Sequence, residues 1–266
     1  MCGICGFTGE VVSRDDVIER MTKVITHRGP DSNGFYKEPD NKITMGFRRL
    51  SIIDLDAGHQ PIYNEDKSMV LTFNGEIYNY QELRKELIEL GHKFYTDTDS
   101  EVLIHGFEQW QEKLLDKLRG MFGFAVYNTK DNSLFIARDF FGIKPMHYAQ
   151  VGNNFVYGSE IKSILEYPGY QKQVNMEALE QYLTFQYSVL PETFFKGIFK
   201  LAPAHSILFK DGEVKIERYW EPDFDIDETV DLDTLVDRID EQMKESVEAH
   251  MISDVEVGSL LSSGID

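Results

Sequence analysis

Met1-Cys2-Gly3-Ile4-Cys5-Gly6 opens the chain, and how its first cysteine is read decides the rest. An initiator methionine is usually removed before a small residue, leaving Cys2 with both a thiol and a free α-amine. An α-amine titrates at about 7.7–8.0, against about 10.4 for lysine, so a sizeable neutral fraction exists near neutral pH. One residue then supplies a nucleophile and, directly or through a water, the base that activates it. This is the logic of N-terminal-nucleophile catalysis. Position alone leaves a second reading open at even weight, because free cysteine often behaves as a small buried hydrophobe. Cys2-x-x-Cys5 also has to be weighed as a redox or metal motif. A thioredoxin-like pair follows a strand inside a βαβ unit, and a structural zinc site needs two more Cys or His nearby. Neither context exists here, so Cys5 reads as a buried strand residue and no metal ligands are expected.

Composition narrows the class. A chain of 266 residues fits one large or two modest domains, and 42% hydrophobic residues with 18 Phe and 13 Tyr can fill a core. Two cysteines near one end cannot build a disulfide framework, which points to the cytoplasm. No apolar run approaches the ~18 residues needed to span a bilayer, and no signal peptide opens the chain. The net charge of −19, from 46 acids against 27 bases, argues against nucleic acid or an anionic membrane as partner.

Hydrophobic periodicity places the elements. Ile4–Phe7 reads as a buried strand, and a helix follows from Ser13, with Asp16 completing a capping box and Val17, Ile18, Met21, Val24 and Ile25 on one face. Thr26–Gly34 reads as a polar loop. Strands are expected at Ile43–Phe47, Leu50–Ile53 and Met69–Phe73, then helices opened by Asn79 with Glu82 and by Ser100. Phe122–Tyr127 with Leu134–Ala137, and His147–Ala149 with Phe155–Tyr157, look like hairpins. A helix at Met176–Phe185 and strands at Ser206–Phe209 and Val214–Ile216 complete the body. Strands grouped in hairpins beside separate helices indicate an α+β protein of antiparallel sheets layered with helices. Between Glu221 and Glu256 there are fourteen acids and two bases. Residues 221–228 therefore read as an acidic linker, followed by one amphipathic helix carrying Leu232, Leu235, Val236, Ile239, Met243 and Val247. Val255–Leu261 looks like a strand entering Ser262-Ser263-Gly264-Ile265-Asp266. Residues 229–266 are too short to bury a core and are expected to be the start of a second, incomplete domain.

Several stretches together resemble one family. Met1–Ile4, His27-Arg28-Gly29-Pro30-Asp31, Arg49-Leu50-Ser51-Ile52-Ile53-Asp54 and Phe73-Asn74-Gly75-Glu76-Ile77-Tyr78-Asn79 look like the glutaminase domain of class II glutamine amidotransferases. Arg138-Asp139-Phe140-Phe141-Gly142-Ile143-Lys144-Pro145 and Gly158-Ser159-Glu160-Ile161-Lys162 narrow the resemblance to glutamine-hydrolysing asparagine synthetases of the bacterial B type. It implies a four-layer αββα domain over residues 1–220 and an α/β ATP-pyrophosphatase domain beginning in 229–266. It also implies the reaction: glutamine is hydrolysed, and the ammonia amidates aspartate activated by ATP as aspartyl-AMP. ATP and Mg2+ would serve the second domain, and no cofactor the first. A homodimer is compatible with the resemblance.

By the same resemblance Cys2 is the nucleophile, and Asn74 and Gly75 form the oxyanion hole. Arg49 grips the α-carboxylate of glutamine and Asp99 its ammonium, with Glu76 and the main chain at Leu50, Ile52 and Ile53 lining the pocket. Arg28 and Gly29 shape or close the site without performing chemistry. The residues taken alone allow plainer readings: Asn74-Gly75 as a type I′ turn, Asp99 as a helix cap, Arg48-Arg49 as a solvated pair. Leu260, Leu261 and Ser262 match an ATP site, but Ser263 stands where the family has glycine and Glu256 where it has proline. ATP is therefore not expected to bind the chain as given. Two alternatives stand beside this reading: an amidotransferase of the same architecture with another acceptor (β-lactam-forming or peptide-amidating), and a non-catalytic glutaminase-like module.

Overall fold

Residues 2–51, 58–189, 191–227, 229–259 and 262 are described by a computed structural model. Its strands are β1 (Gly3–Thr8), β2 (Ser32–Lys37), β3 (Ile43–Arg49), β4 (Ile62–Tyr63), β5 (Met69–Ile77), β6 (Gly120–Asn128), β7 (Ser133–Arg138), β8 (His147–Val151), β9 (Asn154–Gly158), β10 (Ile198–Lys200), β11 (His205–Lys210) and β12 (Glu213–Arg218). The helices are α1 (Arg14–Lys23), α2 (Tyr80–Glu89), α3 (Glu101–Trp110), α4 (Ile161–Leu165), α5 (Met176–Phe185) and α6 (Leu232–His250).

Two six-stranded sheets, ordered β10-β8-β9-β1-β3-β2 and β12-β11-β7-β6-β5-β4, form through antiparallel pairings. Period-two alternation decides what each face meets. Ile4, Met45 and Phe47 of the first sheet pack against Val70, Ala125 and Ile136 of the second. Cys5 and Phe7 turn the other way, onto Val17, Ile18 and Met21 of α1. Leu71, Phe73 and Phe124 lie under Leu83, Leu87, Val102 and Leu103 of α2 and α3. The result is the four-layer αββα arrangement. Apolar burial of roughly 1.5–3 kcal/mol per large side chain drives all three interfaces.

Several local expectations need correction. Ser13 sits at φ 57° and its side chain caps nothing, so the capping box with Asp16 does not form. Asn79 precedes α2 without capping it, because its amide bridges the Lys117 carbonyl and the Arg119 N–H, each at 2.9 Å. The polar stretch from Thr26 does not stay a loop: it makes a 3-10 turn over Thr26–Arg28 and joins β2 at Ser32. β3 ends at Arg49, so Leu50 and Ser51 are not strand. Strand β10 and helix α4 are too short to show a period. Residues 255–259 form no strand, as no described strand lies beside them to pair with. Helix α6 is present, and Leu232, Val236, Ile239, Met243 and Val247 along it are each more than half exposed.

Candidate active site

Cys2 stands just ahead of β1, on the face that looks between the sheets, and packs against the inter-sheet cluster. Two stretches hold it there. Ser159 clamps Ile4, two residues on, donating its N–H to the Ile4 carbonyl at 2.8 Å and accepting the Ile4 N–H on Oγ at 3.0 Å. Arg28 donates from Nε to the Cys2 carbonyl at 2.9 Å and from Nη1 to Glu160 at 3.1 Å. Glu160 also meets His27 and Lys162; although burial opposes it, hydrogen bonds from Lys162, Arg28 and His27 hold its carboxyl at about 2. The fixed anion in turn fixes Arg28. The thiol donates to the Leu50 carbonyl at 3.6 Å and receives the Leu50 N–H at 3.4 Å. Burial pushes the Cys2 thiol up, more than the Leu50 N–H lowers it. Its nucleophilicity therefore requires a base.

Opposite the thiol lies the far half of β5. Strand β4 covers β5 only at Leu71 and Val70, so among the described residues no strand lies beside the rest of that edge. Side chains take over part of the missing ladder. Gln60 gives Oε1 to the Phe73 N–H at 2.7 Å and Nε2 to the Phe73 carbonyl at 3.2 Å. Asp99 accepts the Ile77 N–H at 2.9 Å. Alternation along the ladder turns the Gly75 N–H to this same edge, between those two rungs. A Cβ at Gly75 would lie 2.2 Å from the Met121 carbonyl and 2.8 Å from the Phe122 Cα, so no larger residue fits this pairing. Asn74 and Gly75 are thus the middle of a nine-residue strand paired with Gly123 and Phe122, not a hairpin turn. Asn74 is 1% exposed, and neither of its side-chain amide atoms has a hydrogen-bond partner.

One pocket collects Cys2, Arg49, Leu50, Asn74, Gly75, Glu76 and Asp99. It also contains residues that sequence reasoning missed: Gln60, Thr98, Ser100 and Lys144. Lys144 carried a signal. Its motif is a turn in which Asp139 accepts the N–H groups of Phe122, Phe141, Ile143 and Lys144, while Arg138 donates to the carbonyls of Gly142, Lys144 and Leu201. That turn delivers Lys144 to the pocket, where burial holds its amine below the ordinary range. Gln60 had no signal, since its role depends on where β4 begins. Ile52 and Ile53, and Leu260 and Leu261 of the expected ATP loop, lie outside the described residues; Ser262 is exposed.

Asp99 does not cap α3, whose N-cap is Ser100. Burial raises its carboxyl to about 7, Glu76 adds repulsion, and the Ile77 N–H offsets only part. The folded group keeps a proton that the unfolded chain, at about 3.9, has released. Stability from Asp99 is therefore full below about pH 4 and is lost as pH rises through about 7. Denaturant midpoints across that window should fall more steeply for the native protein than for Asp99→Asn. Parallel curves would place the titration elsewhere.

A family model described as a glutamine amidotransferase domain matches residues 1–220. The chain belongs to the glutamine amidotransferase family. A second model, described as asparagine synthase, matches residues 238–266. Asparagine synthetase (glutamine-hydrolyzing) 1 of Bacillus subtilis (strain 168) is 40% identical over 272 residues, covering 99% of this chain and 42% of its own length. Asparagine synthetase B (glutamine-hydrolyzing) of Escherichia coli (strain K12) is 34% identical over 275 residues, 100% of this chain and 43% of its own. The chain spans less than half the length of these curated relatives. Among solved structures, the glutamine phosphoribosylpyrophosphate amidotransferase from B. subtilis complexed with ADP and GMP aligns with a TM-score of 0.59 at 18% identity, over 83% of this chain and 50% of that one. That likeness shows the fold. Among the described residues of this amidotransferase chain, no helix is long and apolar enough to cross a membrane.

Proposed function

We propose that residues 1–220 are a glutaminase in which Cys2 hydrolyses the side-chain amide of glutamine, and that residues 229–266, after an acidic linker at 221–228, begin an asparagine synthetase domain. With methionine removed, the α-amine of Cys2 takes the thiol proton and the thiolate attacks the amide carbon. The tetrahedral oxyanion receives the Asn74 Nδ2 hydrogen and the Gly75 N–H. The C–N bond breaks as the ammonium returns its proton to the leaving nitrogen, giving ammonia and a thioester. Water then attacks the thioester and releases glutamate. Arg49 suits the α-carboxylate, because a guanidinium binds it in a fork. Asp99 suits the α-ammonium, whose charge favours the ionised carboxylate that burial disfavours. Ile52 and Ile53 are assigned to the pocket by resemblance alone.

The buried, unpartnered amide of Asn74, in the same pocket as Cys2, supports this reading best. A donor left without a partner costs roughly 1–3 kcal/mol, which a fold retains where a ligand will use it. In the whole protein the ammonia would amidate aspartate activated by ATP with Mg2+, in the cytoplasm, giving asparagine, AMP and pyrophosphate. Leu260, Leu261 and Ser262 would then belong to the nucleotide loop.

The test pairs mass spectrometry with release of glutamate and ammonia from glutamine. Activity should appear only in the fraction that has lost Met1. Full activity with methionine retained would remove the amine from the mechanism.

A further inference from the structure

Away from the Cys2 pocket, Glu65, His92, His105 and Glu108 bring one ligand atom each to within 4.8 Å of one another. They come from three places: the turn after β4, the segment after α2, and one face of α3. His105 is fully buried, and its Nε2 faces Glu101 Oε1 at 3.2 Å. Its Nδ1 is buried, makes no hydrogen bond, and lies 3.2 Å from Glu65 Oε2. His92 repeats the pattern, with Nε2 on Gln109 Oε1 at 3.2 Å and Nδ1 on Glu65 Oε1 at 3.2 Å. Glu108 Oε2 is also buried without a hydrogen-bond partner.

Each ring faces an oxygen acceptor at both nitrogens, so whichever nitrogen carries the single proton of a neutral imidazole, the other aims its lone pair at an oxygen. Lone pairs facing oxygens repel unless something positive lies between them. A second proton on each imidazole, with ring centroids 5.2 Å apart, is one way to place that charge. One divalent cation is another. We propose that Glu65, His92, His105 and Glu108 bind a single divalent transition-metal ion of the zinc type, as a structural site.

The ligand chemistry selects the metal class. Two imidazoles with two carboxylates suit zinc and its neighbours, whereas calcium and magnesium take all-oxygen sets. Zinc bonds of about 2.0–2.2 Å place tetrahedral ligands ~3.3 Å apart. The 3.2 Å separations between Glu65 and each Nδ1 already match that spacing. Glu101 completes the arrangement as the carboxylate that orients a metal-bound histidine. It also accepts the N–H groups of Tyr95 and Thr96, each at 2.7 Å, on the segment that runs to Asp99. A metal here would pin α3 to the turn after β4 and steady the strip of chain that carries Asp99.

Protein prepared without chelator should hold about one zinc per chain by elemental analysis. After stripping, added Zn2+ should raise the thermal midpoint. His92→Ala, at a partly exposed ring, should weaken binding by at least ~100-fold. Glu108→Gln serves if that variant folds poorly. Co2+ in place of zinc should give visible bands without thiolate charge transfer, and Cys2→Ala should leave them unchanged. Absence of both retained metal and a midpoint rise would overturn the site and leave an ion-pair cluster. So would equal binding by His92→Ala, or a cobalt spectrum that depends on Cys2.

Discussion

Cys2→Ala should lose glutamine hydrolysis by roughly 10⁴-fold or more, the scale on which removal of a covalent nucleophile is felt. Cys5→Ala should keep activity within a few-fold. The two thiols are three residues apart in sequence, yet alternation along β1 sends them to opposite faces of one sheet. Cys5 is fully buried against Phe7, Ile18 and Met21, and burial pushes its thiol far above the ordinary range, so it stays protonated and inert. Shortening it leaves a small cavity and should cost about 1 kcal/mol of stability without touching the pocket. Purified variants assayed for glutamate release, with a denaturation curve beside each, check both halves. Equal loss of activity in the two would mean that Cys5 works together with Cys2.

Asn74→Ala should lower kcat by roughly 10²–10³ while KM moves little, because the oxyanion exists only in the transition state. Stability should move the other way or not at all. The Asn74 amide is buried with no partner for either atom. Removing such a group relieves a desolvation penalty of roughly 1–3 kcal/mol, partly offset by the smaller side chain. A thermal midpoint equal to or above that of the native protein, with kcat collapsed, is the signature of a residue kept for chemistry against stability. A fall in midpoint with kcat intact would make Asn74 a core residue.

Where sequence period and turn chemistry agreed, the fold was legible. Leu134–Ala137 and Phe155–Tyr157 fell inside their strands because Asp131-Asn132 and Gly152 mark the hairpins between. Met176–Phe185 came out at its observed bounds. Local chemistry misled where distant partners compete. Asn79 was drawn from its cap by backbone groups of Lys117 and Arg119, nearly forty positions away. Asn74-Gly75 has the composition of a turn and is strand, because its flanking residues pair along the whole of β6. At the site, Cys2, Arg49, Asn74, Glu76 and Asp99 were read from motif resemblance, and they do line one pocket. Gln60 reaches Phe73 through contacts that no spacing encodes, whereas Lys144 and Glu160 lie inside quoted motifs whose contacts only the fold reveals. The Glu65, His92, His105 and Glu108 cluster stayed hidden for the same reason.

On the proposed mechanism, the partial edge of β5 makes activity depend on something left unbuilt. β4 pairs Ile62 with Leu71 and stops; carried on in the same register, it would set Gly58 opposite Gly75. The Gly75 N–H would then be spent on an ordinary ladder bond, and the proposed mechanism would lose one oxyanion donor while the sheet gained a rung. Gln60 and Asp99 hold the neighbouring rungs with side chains, so the gap persists without leaving a bare strand edge for other chains to join. Inactivation therefore needs no change to any reacting residue. A loop sequence that favoured strand just before Ile62 would do it, by finishing the sheet.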